Sequence, residues 1–303
     1  MPISLPACSR RRFLQGSLAA GAALLTDHRS VAADQPVDAD SWALLADIHI
    51  AENRAEIARQ MNMAANLERV GGELLALPQR PAGVLINGDC AYLQGKEGDY
   101  RTLVELLAPL RTAGLPVHLA LGNHDHRERF WNAAVEKKNE SAPLASKHVL
   151  VIESPKANWF LLDSLRATNV TPGELGQQQR DWLARELDAR SDKPALIVAH
   201  HNLDPGNPKT TGLTDTDALF SLLLPRRHVK AYIYGHTHHW QQSEREGVHL
   251  INLPPVAYPF RAADPVGWVQ CQLGDDGARL ELRSIDEKHS AHGQKVELAW
   301  RAA

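Results

Sequence analysis

The sequence predicts an α/β fold, a mostly parallel β-sheet flanked by helices. Three observations lead there. Short apolar runs that read as strands alternate with longer segments of helical periodicity. Several of the runs are continuous rather than alternating, which fits strands buried on both faces. Most of those in the first 240 residues end in a compact polar string, so polar side chains gather beyond the carboxyl ends of strands, where open α/β sheets hold their ligands.

Taken in order, Trp42-Ala43-Leu44-Leu45-Ala46 is a buried strand ending at Asp47. Between Glu52 and Leu77, the residues Ile57, Met61, Ala64, Ala65 and Leu75 fall near helical spacing, and Pro78 and Pro81 stop that helix. Gly83 to Ile86 is a second strand ending at Asp89. Tyr100 to Leu110 is a helix closed by Gly114, and Val117 to Leu121 is a third strand ending at Asn123. The pattern then repeats. Val149 to Ile152 and Trp159 to Leu162 are adjacent strands, and Glu174 to Ala189 is a helix with Leu175, Trp182, Leu183 and Leu187 on one face. Ala195 to Val198 ends at His200, and Ala231 to Tyr234 ends at His236. Short strands follow at Val248 to Leu250, Gly267 to Leu273 and Ala278 to Arg283. Val296, Leu298 and Trp300 alternate as in an edge strand.

The chain has 303 residues, 44% hydrophobic and 23% charged, enough to bury one large core. Its formal charge of -3 supplies no basic footprint for a nucleic-acid backbone. No repeat, low-complexity tract or interdomain linker interrupts it. Residues 41–285 are expected to form one domain, with residues 34–40 as a polar leader and residues 286–303 as a C-terminal extension or edge strand.

Residues 1–33 are read apart from the fold. Arg10-Arg11-Arg12-Phe13-Leu14 leads into a small-residue apolar run from Gly16 to Leu25, too short to anchor in a bilayer. Val31-Ala32-Ala33 offers a cleavage site before Asp34. The segment resembles a bacterial twin-arginine signal. That implies the twin-arginine export machinery as a partner, a periplasmic or secreted location, and no membrane anchor after cleavage. Cleavage would remove four Arg and one Asp, taking Lys+Arg from 33 to 29 and Asp+Glu from 36 to 35, for a mature charge of -6. Cys8 would leave with the signal. Cys90 and Cys271 remain, too few for a disulfide framework, and the sequence leaves their pairing open.

The chemistry sits in five strings: Asp47-Ile48-His49, Gly88-Asp89, Gly122-Asn123-His124-Asp125, His200-His201 and Gly235-His236-Thr237-His238. If the first strand continues through its string, Asp47 and His49 share a face and can grip one ion. Asp89 follows a glycine at a strand end, and a carboxylate can bridge two cations. Asn123 offers a neutral oxygen donor. His124 is then free to face a substrate, with Asp125 placed to accept a hydrogen bond from its other ring nitrogen and keep it protonated. His236 and His238 are too closely spaced, with His239 beside them, to be ordinary core histidines. Of His200 and His201, one is expected as a ligand, with His200 favoured. Imidazole, carboxylate and amide donors without thiolate suit Mn, Fe, Zn, Co or Ni, and their dispersal over strands is unlike a structural zinc site.

The ordered strings resemble the calcineurin-like metallophosphoesterases, whose pattern is Asp-x-His, Gly-Asp, Gly-Asn-His-Asp/Glu, a His after a strand, and Gly-His-x-His. The match runs from Asp47 to His238. It implies a two-sheet β-sandwich flanked by helices. It also implies two divalent transition-metal ions, one held by Asp47, His49 and His238, the other by Asn123, His200 and His236, with Asp89 bridging and His124 as substrate-facing acid. Two such ions roughly 3.5–4 Å apart lower the pKa of a shared water, so that hydroxide can attack the phosphorus of a small phosphoester, monoester or diester. Gly173-Glu174-Leu175-Gly176 with Gln179, Trp182 and Leu183 is similar to a stretch of the branch that holds class III cyclic-nucleotide phosphodiesterases and relatives of purple acid phosphatases. Gly88-Asp89-Cys90-Ala91-Tyr92 also looks like the purple acid phosphatase string whose tyrosine binds ferric iron. Those enzymes have glycine where this chain has His49, so Tyr92 is expected behind the ligands. Asn202 stands where many relatives have proline after the histidines. A different class of reading is a non-catalytic exported metal- or phosphate-binding protein on the same fold.

Overall fold

The apolar run Trp42 to Ala46 lies in β1 (Val37–Ala46) and is buried on both faces, which is why it shows no alternation. A small hairpin, β2 (Ile57–Ala58) and β3 (Met61–Asn62), leads into α1 (Met63–Ala76). Next come β4 (Arg80–Asn87), α2 (Glu97–Thr112), β5 (Val117–Ala120) and the short α3 (Arg127–Asn132). The second half runs β6 (Leu150–Glu153), β7 (Asn158–Leu161), α4 (Gln177–Asp188), β8 (Ala195–Val198), α5 (Thr216–Leu223), β9 (Val229–Tyr234), β10 (Gln241–Arg245) and β11 (Val248–Asn252). It closes with β12 (Gly267–Leu273), β13 (Gly277–Ser284) and β14 (Lys295–Ala299). The computed structural model describes residues 35–136, 144–207 and 209–302. The expected twin-arginine signal, residues 1–33, lies outside the described residues.

Two six-stranded sheets face each other. The first has the order β14-β13-β12-β1-β4-β5, the second β10-β11-β9-β8-β7-β6. In the first, β1, β4 and β5 run parallel, while β12, β13 and β14 are antiparallel additions. In the second, β7, β8, β9 and β11 are parallel, with β6 and β10 antiparallel at the edges. Both sheets are therefore mixed.

The two periodicities of β1 assign the layers. Trp42, Leu44 and Ala46 point between the sheets, where they pack with Leu85, Trp159, Leu161, Val198 and Ile233. Ala43 and Leu45 point the other way, into the apolar faces of α1 and α2, among Leu67, Val70, Leu74, Leu103 and Leu107. The outer face of the second sheet packs Phe160, Ile197 and Tyr232 against Leu183, Leu187, Leu219 and Leu223 of α4 and α5. Cys90 belongs to the first helical layer and Cys271 to the inter-sheet layer, and both are free thiols.

Two expectations need correction. The helix read from Glu52 to Leu77 begins only at Met63. Arg59 and Gln60 take left-handed conformations (φ 48° and 68°) that turn the β2–β3 hairpin, and Ile57 is exposed on it. Asn62 then caps the helix by accepting from the Ala65 amide at 2.8 Å, an arrangement that contributes about 1 kcal/mol. The leader expected to end at Asp40 is shorter, because Val37 and Asp38 already pair with Arg80 and Pro81 of β4. The C-terminal segment forms the edge strand that the alternation of Val296 and Leu298 predicts. Strand β14 pairs with β13 at the sheet edge, and Arg301 donates to the backbone carbonyls of Leu223, Leu224, Arg226, Val229 and Glu246.

Candidate metal centre

Five parallel strands end on one edge of the sandwich. Strands β1, β4 and β5 deliver Asp47, Asp89 and Asn123; β8 and β9 deliver His200 and His236. Asn87, the last residue of β4, ties the sheets together there, its buried side-chain amide donating to the carbonyls of Ala199 and Ile233 at 3.1 Å each. The loops after β1 and β4 stay zipped, with the amides of His49 and Ile50 donating to the carbonyls of Asp89 and Cys90 at 2.9 Å.

Asp47 and His49 do not converge by strand alternation, because β1 stops at Ala46. Asp47, His49, Asp89, His236 and His238 all take left-handed backbone conformations, with φ between 44° and 68°. Each costs a non-glycine residue on the order of 1–3 kcal/mol. Five of them in one centre mark a place where geometry has been kept at the expense of stability. Two glycines are required by close approach. A β-carbon on Gly122 would lie 2.2 Å from Asp89 Oδ1, and one on Gly235 would lie 2.4 Å from Asp47 Oδ2. The glycines of Gly-Asn-His-Asp and Gly-His-Thr-His are thus needed where the chain passes a carboxylate.

Four imidazoles are clamped from behind by backbone carbonyls. His49 Nδ1–H donates to Tyr92 O (2.9 Å), His238 Nδ1–H to Tyr258 O (2.5 Å), His200 Nδ1–H to Asn87 O (3.1 Å) and His236 Nε2–H to Thr211 O (2.9 Å). This orients each ring and turns its other nitrogen toward the centre, the arrangement metal-ligating histidines use. The consequence is severe for one pair: His49 Nε2 and His238 Nε2 stand 3.1 Å apart. Bare ring nitrogens this close repel unless a proton or cation lies between them, so the residues fit a bound cation. His200 Nε2 stands 3.3 Å from the amide oxygen of Asn123, within reach of the same centre. Asp89 Oδ2 lies between the two groups, 3.6 Å from His49 Nε2 and 3.3 Å from His200 Nε2, while its Oδ1 accepts from the His124 amide at 2.9 Å. Asp47 accepts from the His236 amide through both oxygens and lies 3.4 Å from His238 Nε2. Asp47, His49 and His238 offer donor atoms within 4.8 Å of one another, and so do Asp47, Asp89 and His200.

The electrostatics follow from burial and these neighbours. Burial pushes His49 and His236 down to about 4, so both are neutral donors at pH 7. Burial also opposes charge on His200, but Asp89 and Asp47 outweigh it and raise His200 to about 9. Burial alone would lift both carboxyls. His238 and His200 instead hold Asp47 below its ordinary value, and His200 and His49 hold Asp89 well below.

Two of the expected partners behave differently. Asp125 does not touch the His124 ring. It is fully buried, and its carboxylate accepts from the amides of Gly122 (2.8 Å), Cys90 (3.0 Å) and Ala91 (3.0 Å) and from the Tyr100 hydroxyl (3.1 Å). The turn after Gly122 points it inward, where it ties the Asp89 and Asn123 loops together. Burial, then Asp89, raises it to about 6. The His124 ring is held instead by Leu93 O, which accepts from Nδ1 at 2.8 Å. Of the paired histidines, His200 reaches Asp89. His201 is near enough to group with His200 and His236, but the Ser164 hydroxyl donates to its Nδ1 and its Nε2–H donates to Thr171 O, which leaves it no lone pair. Tyr92 meets the centre through its carbonyl, and its side chain lines a neighbouring cavity with Glu52 and Asp99.

A cavity of about 470 Å³ opens over the centre. His49, Asp89, Asn123, His124, His236 and His238 line it, together with Thr171 and Thr211, and one wall is aromatic. Phe260 stacks on His238 at 3.9 Å between ring centroids with a 6° interplanar angle, and Tyr258 stacks on His49 at 5.1 Å. Arg59, from the hairpin turn, lies against both rings. Sequence reasoning did not find Asn87, Arg59, Tyr258 or Phe260. Asn87 left a signal, a polar residue at the end of an apolar strand; the others sit in turns and loops that show no periodicity.

Comparison with known proteins adds to this geometry. Residues 42–240 match the profile of the family described as calcineurin-like phosphoesterase. Among curated proteins, the chain is 29% identical over 255 residues to the 3',5'-cyclic adenosine monophosphate phosphodiesterase CpdA of Haemophilus influenzae, covering 80% of this chain and 89% of that one. The protein of the same name from Pseudomonas aeruginosa is 30% identical over 258 residues, covering 78% and 86%. Among solved structures, a dimetal phosphatase from Danio rerio superposes with a TM-score of 0.66 at 18% identity, over 88% of this chain and 100% of that one, a likeness of fold.

Proposed function

The chain belongs to the calcineurin-like phosphoesterase family, and on that premise we propose that it hydrolyses phosphate esters at a centre of two divalent cations. Asp47, His49 and His238 would hold one ion and Asn123, His200 and His236 the other, with Asp89 between them. The observation that carries this reading is the opposition of the carbonyl-clamped His49 and His238 nitrogens at 3.1 Å, with Asp89 Oδ2 between His49 and His200. Neutral imidazoles and carboxylates suit Mn, Fe or Zn.

Bound divalent ions supply Lewis-acid neutralisation of the phosphoryl oxygens and a lowered pKa for water. The rest falls to the chain's own groups. Asp89 is held in orientation by the His124 amide. His124 lines the cavity with Nδ1 tied to Leu93 O, which leaves Nε2 for the ester, where a proton taken up there can stabilise charge or pass to the leaving oxygen. Asp125 acts at one remove, holding the loops that carry Asp89 and Asn123.

The substrate we favour is a phosphodiester of the cyclic-nucleotide class, a choice supported by the activity for which the Haemophilus and Pseudomonas relatives are named. The test is to reconstitute the protein with manganese, determine bound metal by elemental analysis, and measure hydrolysis of bis(p-nitrophenyl) phosphate and of cyclic AMP. About two metal equivalents with turnover of both is the expected result. Fully loaded protein that turns over no phosphoester would sink the enzyme reading in favour of a binding protein.

Export through the twin-arginine pathway to the periplasm is part of the proposal, supported by Arg10-Arg11-Arg12-Phe13-Leu14 and the apolar run after it. Among the described residues no helix is long and apolar enough to cross a membrane. Replacing the Arg11-Arg12 pair by lysines should strand the protein unprocessed in the cytoplasm.

A further inference from the structure

Apart from its imidazoles, the cavity over the candidate centre is lined by one cationic side chain, Arg59. Among the described residues the guanidinium has no carboxylate within ion-pairing distance and no hydrogen-bond acceptor, and its partners are two aromatic rings. Its carbon lies 5.0 Å from the centroid of Phe260 and 5.9 Å from that of Tyr258. Both rings in turn pack on imidazoles, Phe260 on His238 and Tyr258 on His49. Arg59 therefore reaches the centre only through a layer of aromatic side chains. The backbone fixes the placement, because Arg59 occupies the left-handed turn of the β2–β3 hairpin at φ 48°. Cation–π contact with two rings holds the planar group against the wall at modest cost in side-chain entropy.

We infer that Arg59 is a specificity-determining residue that binds the organic part of the ester, the nucleoside of a nucleotide substrate, rather than its phosphoryl group. The inference rests on the phosphoester reading above and deepens it. The phosphoryl group belongs among the donors of Asp47, Asp89 and His200, none of which touches Arg59. What extends from there past the Phe260 ring toward the mouth is the alcohol side of the ester. A guanidinium with unused donors, backed by an aromatic wall and reachable from solvent, suits a planar, acceptor-rich group: it can stack on a base or donate to the acceptors on its edge.

The test uses Arg59→Asn, which removes the charge while tolerating the left-handed turn, and Arg59→Lys, which keeps charge without the planar fork. In manganese-loaded protein, Arg59→Asn should raise KM for cyclic AMP at least tenfold with kcat changed less than threefold; bis(p-nitrophenyl) phosphate, whose rings are themselves planar and acceptor-rich, serves only to show that the variant still turns over. Arg59→Lys should fall between. A readout independent of turnover is the binding of adenosine and of inorganic phosphate, each titrated calorimetrically. Adenosine binding should weaken at least tenfold in Arg59→Asn and phosphate binding should not. If phosphate binding weakens while adenosine binding holds, Arg59 acts on the phosphoryl group and the inference is wrong. If the wild-type protein turns over neither substrate, the phosphoester reading fails first and takes the inference with it; wild-type turnover with an unchanged Arg59→Asn defeats the inference alone.

Discussion

His49 Nε2 and His238 Nε2 oppose each other at 3.1 Å while the far side of each ring is pinned to a carbonyl, Tyr92 O for one and Tyr258 O for the other. Neither nitrogen can turn away. The folded chain holds this repulsion, together with five left-handed residues, at the same edge.

A cation that relieves the repulsion must therefore stabilise the fold. At a free concentration a hundred times its dissociation constant, one ion adds about 2.7 kcal/mol, which for a domain of this size raises Tm by about 5–10 °C. Thermal unfolding with manganese against excess chelator measures it. Equal melting temperatures under the two conditions would remove the centre from the argument.

Metal binding should also expel a proton. His200 is raised to about 9, with Asp89 and Asp47 outweighing the burial that opposes its charge, so at pH 7 it is mostly protonated in the absence of metal. His49 and His236, lowered to about 4 chiefly by burial, are already neutral. Proton and metal compete for His200, so the sign is set: apparent affinity rises with pH below about 9, by up to tenfold per unit, and levels off above. Calorimetric titration in buffers of different ionisation enthalpy should report close to one proton released per protein molecule at pH 7.

Asp125 should act through stability more than through chemistry. Asp125→Ala strands three buried amides and the Tyr100 hydroxyl, and at about 1–3 kcal/mol for each donor left without an acceptor the loss reaches 3 kcal/mol or more. Urea unfolding of the metal-loaded variant reads this directly. Unchanged stability alongside lost turnover would return Asp125 to the role the sequence suggested, as partner of the His124 ring.

What was legible in the sequence was what periodicity and composition encode. The run at Trp42 is an unbroken apolar strand because both faces are covered, and the ends of the parallel strands place the polar strings on one edge. Strand β10 was missed because Gln241 to Arg245 lies on a sheet edge and buries none of its side chains. The hairpin at Ile57 was mistaken for helix because Ile57 and Met61 happen to fall four apart, although Ile57 faces solvent. In the centre, residue types carried the donor set. Nothing in Gly-Asn-His-Asp tells which way the last carboxylate turns, since that depends on the amides of Cys90 and Ala91 waiting beneath it. Nor does a loop tyrosine or phenylalanine announce that it will stack on an imidazole.

His124 and Asp89 separate chemistry from metal retention. The His124 backbone amide donates to Asp89 whatever the side chain is, and its ring, tethered to Leu93 O at the cavity wall, brings a nitrogen within 4.8 Å of ligand atoms of His49 and Asp89. His124→Ala should therefore keep its bound metal and lose about 10²–10⁴ in kcat, the usual contribution of a positioned general acid. Asp89 stands between His49 Nε2 and His200 Nε2, so Asp89→Ala should release metal from both positions, seen by elemental analysis after dialysis. A His124→Ala protein stripped of metal would make that imidazole a ligand, and an Asp89→Ala protein retaining full metal would take Asp89 out of the bridge.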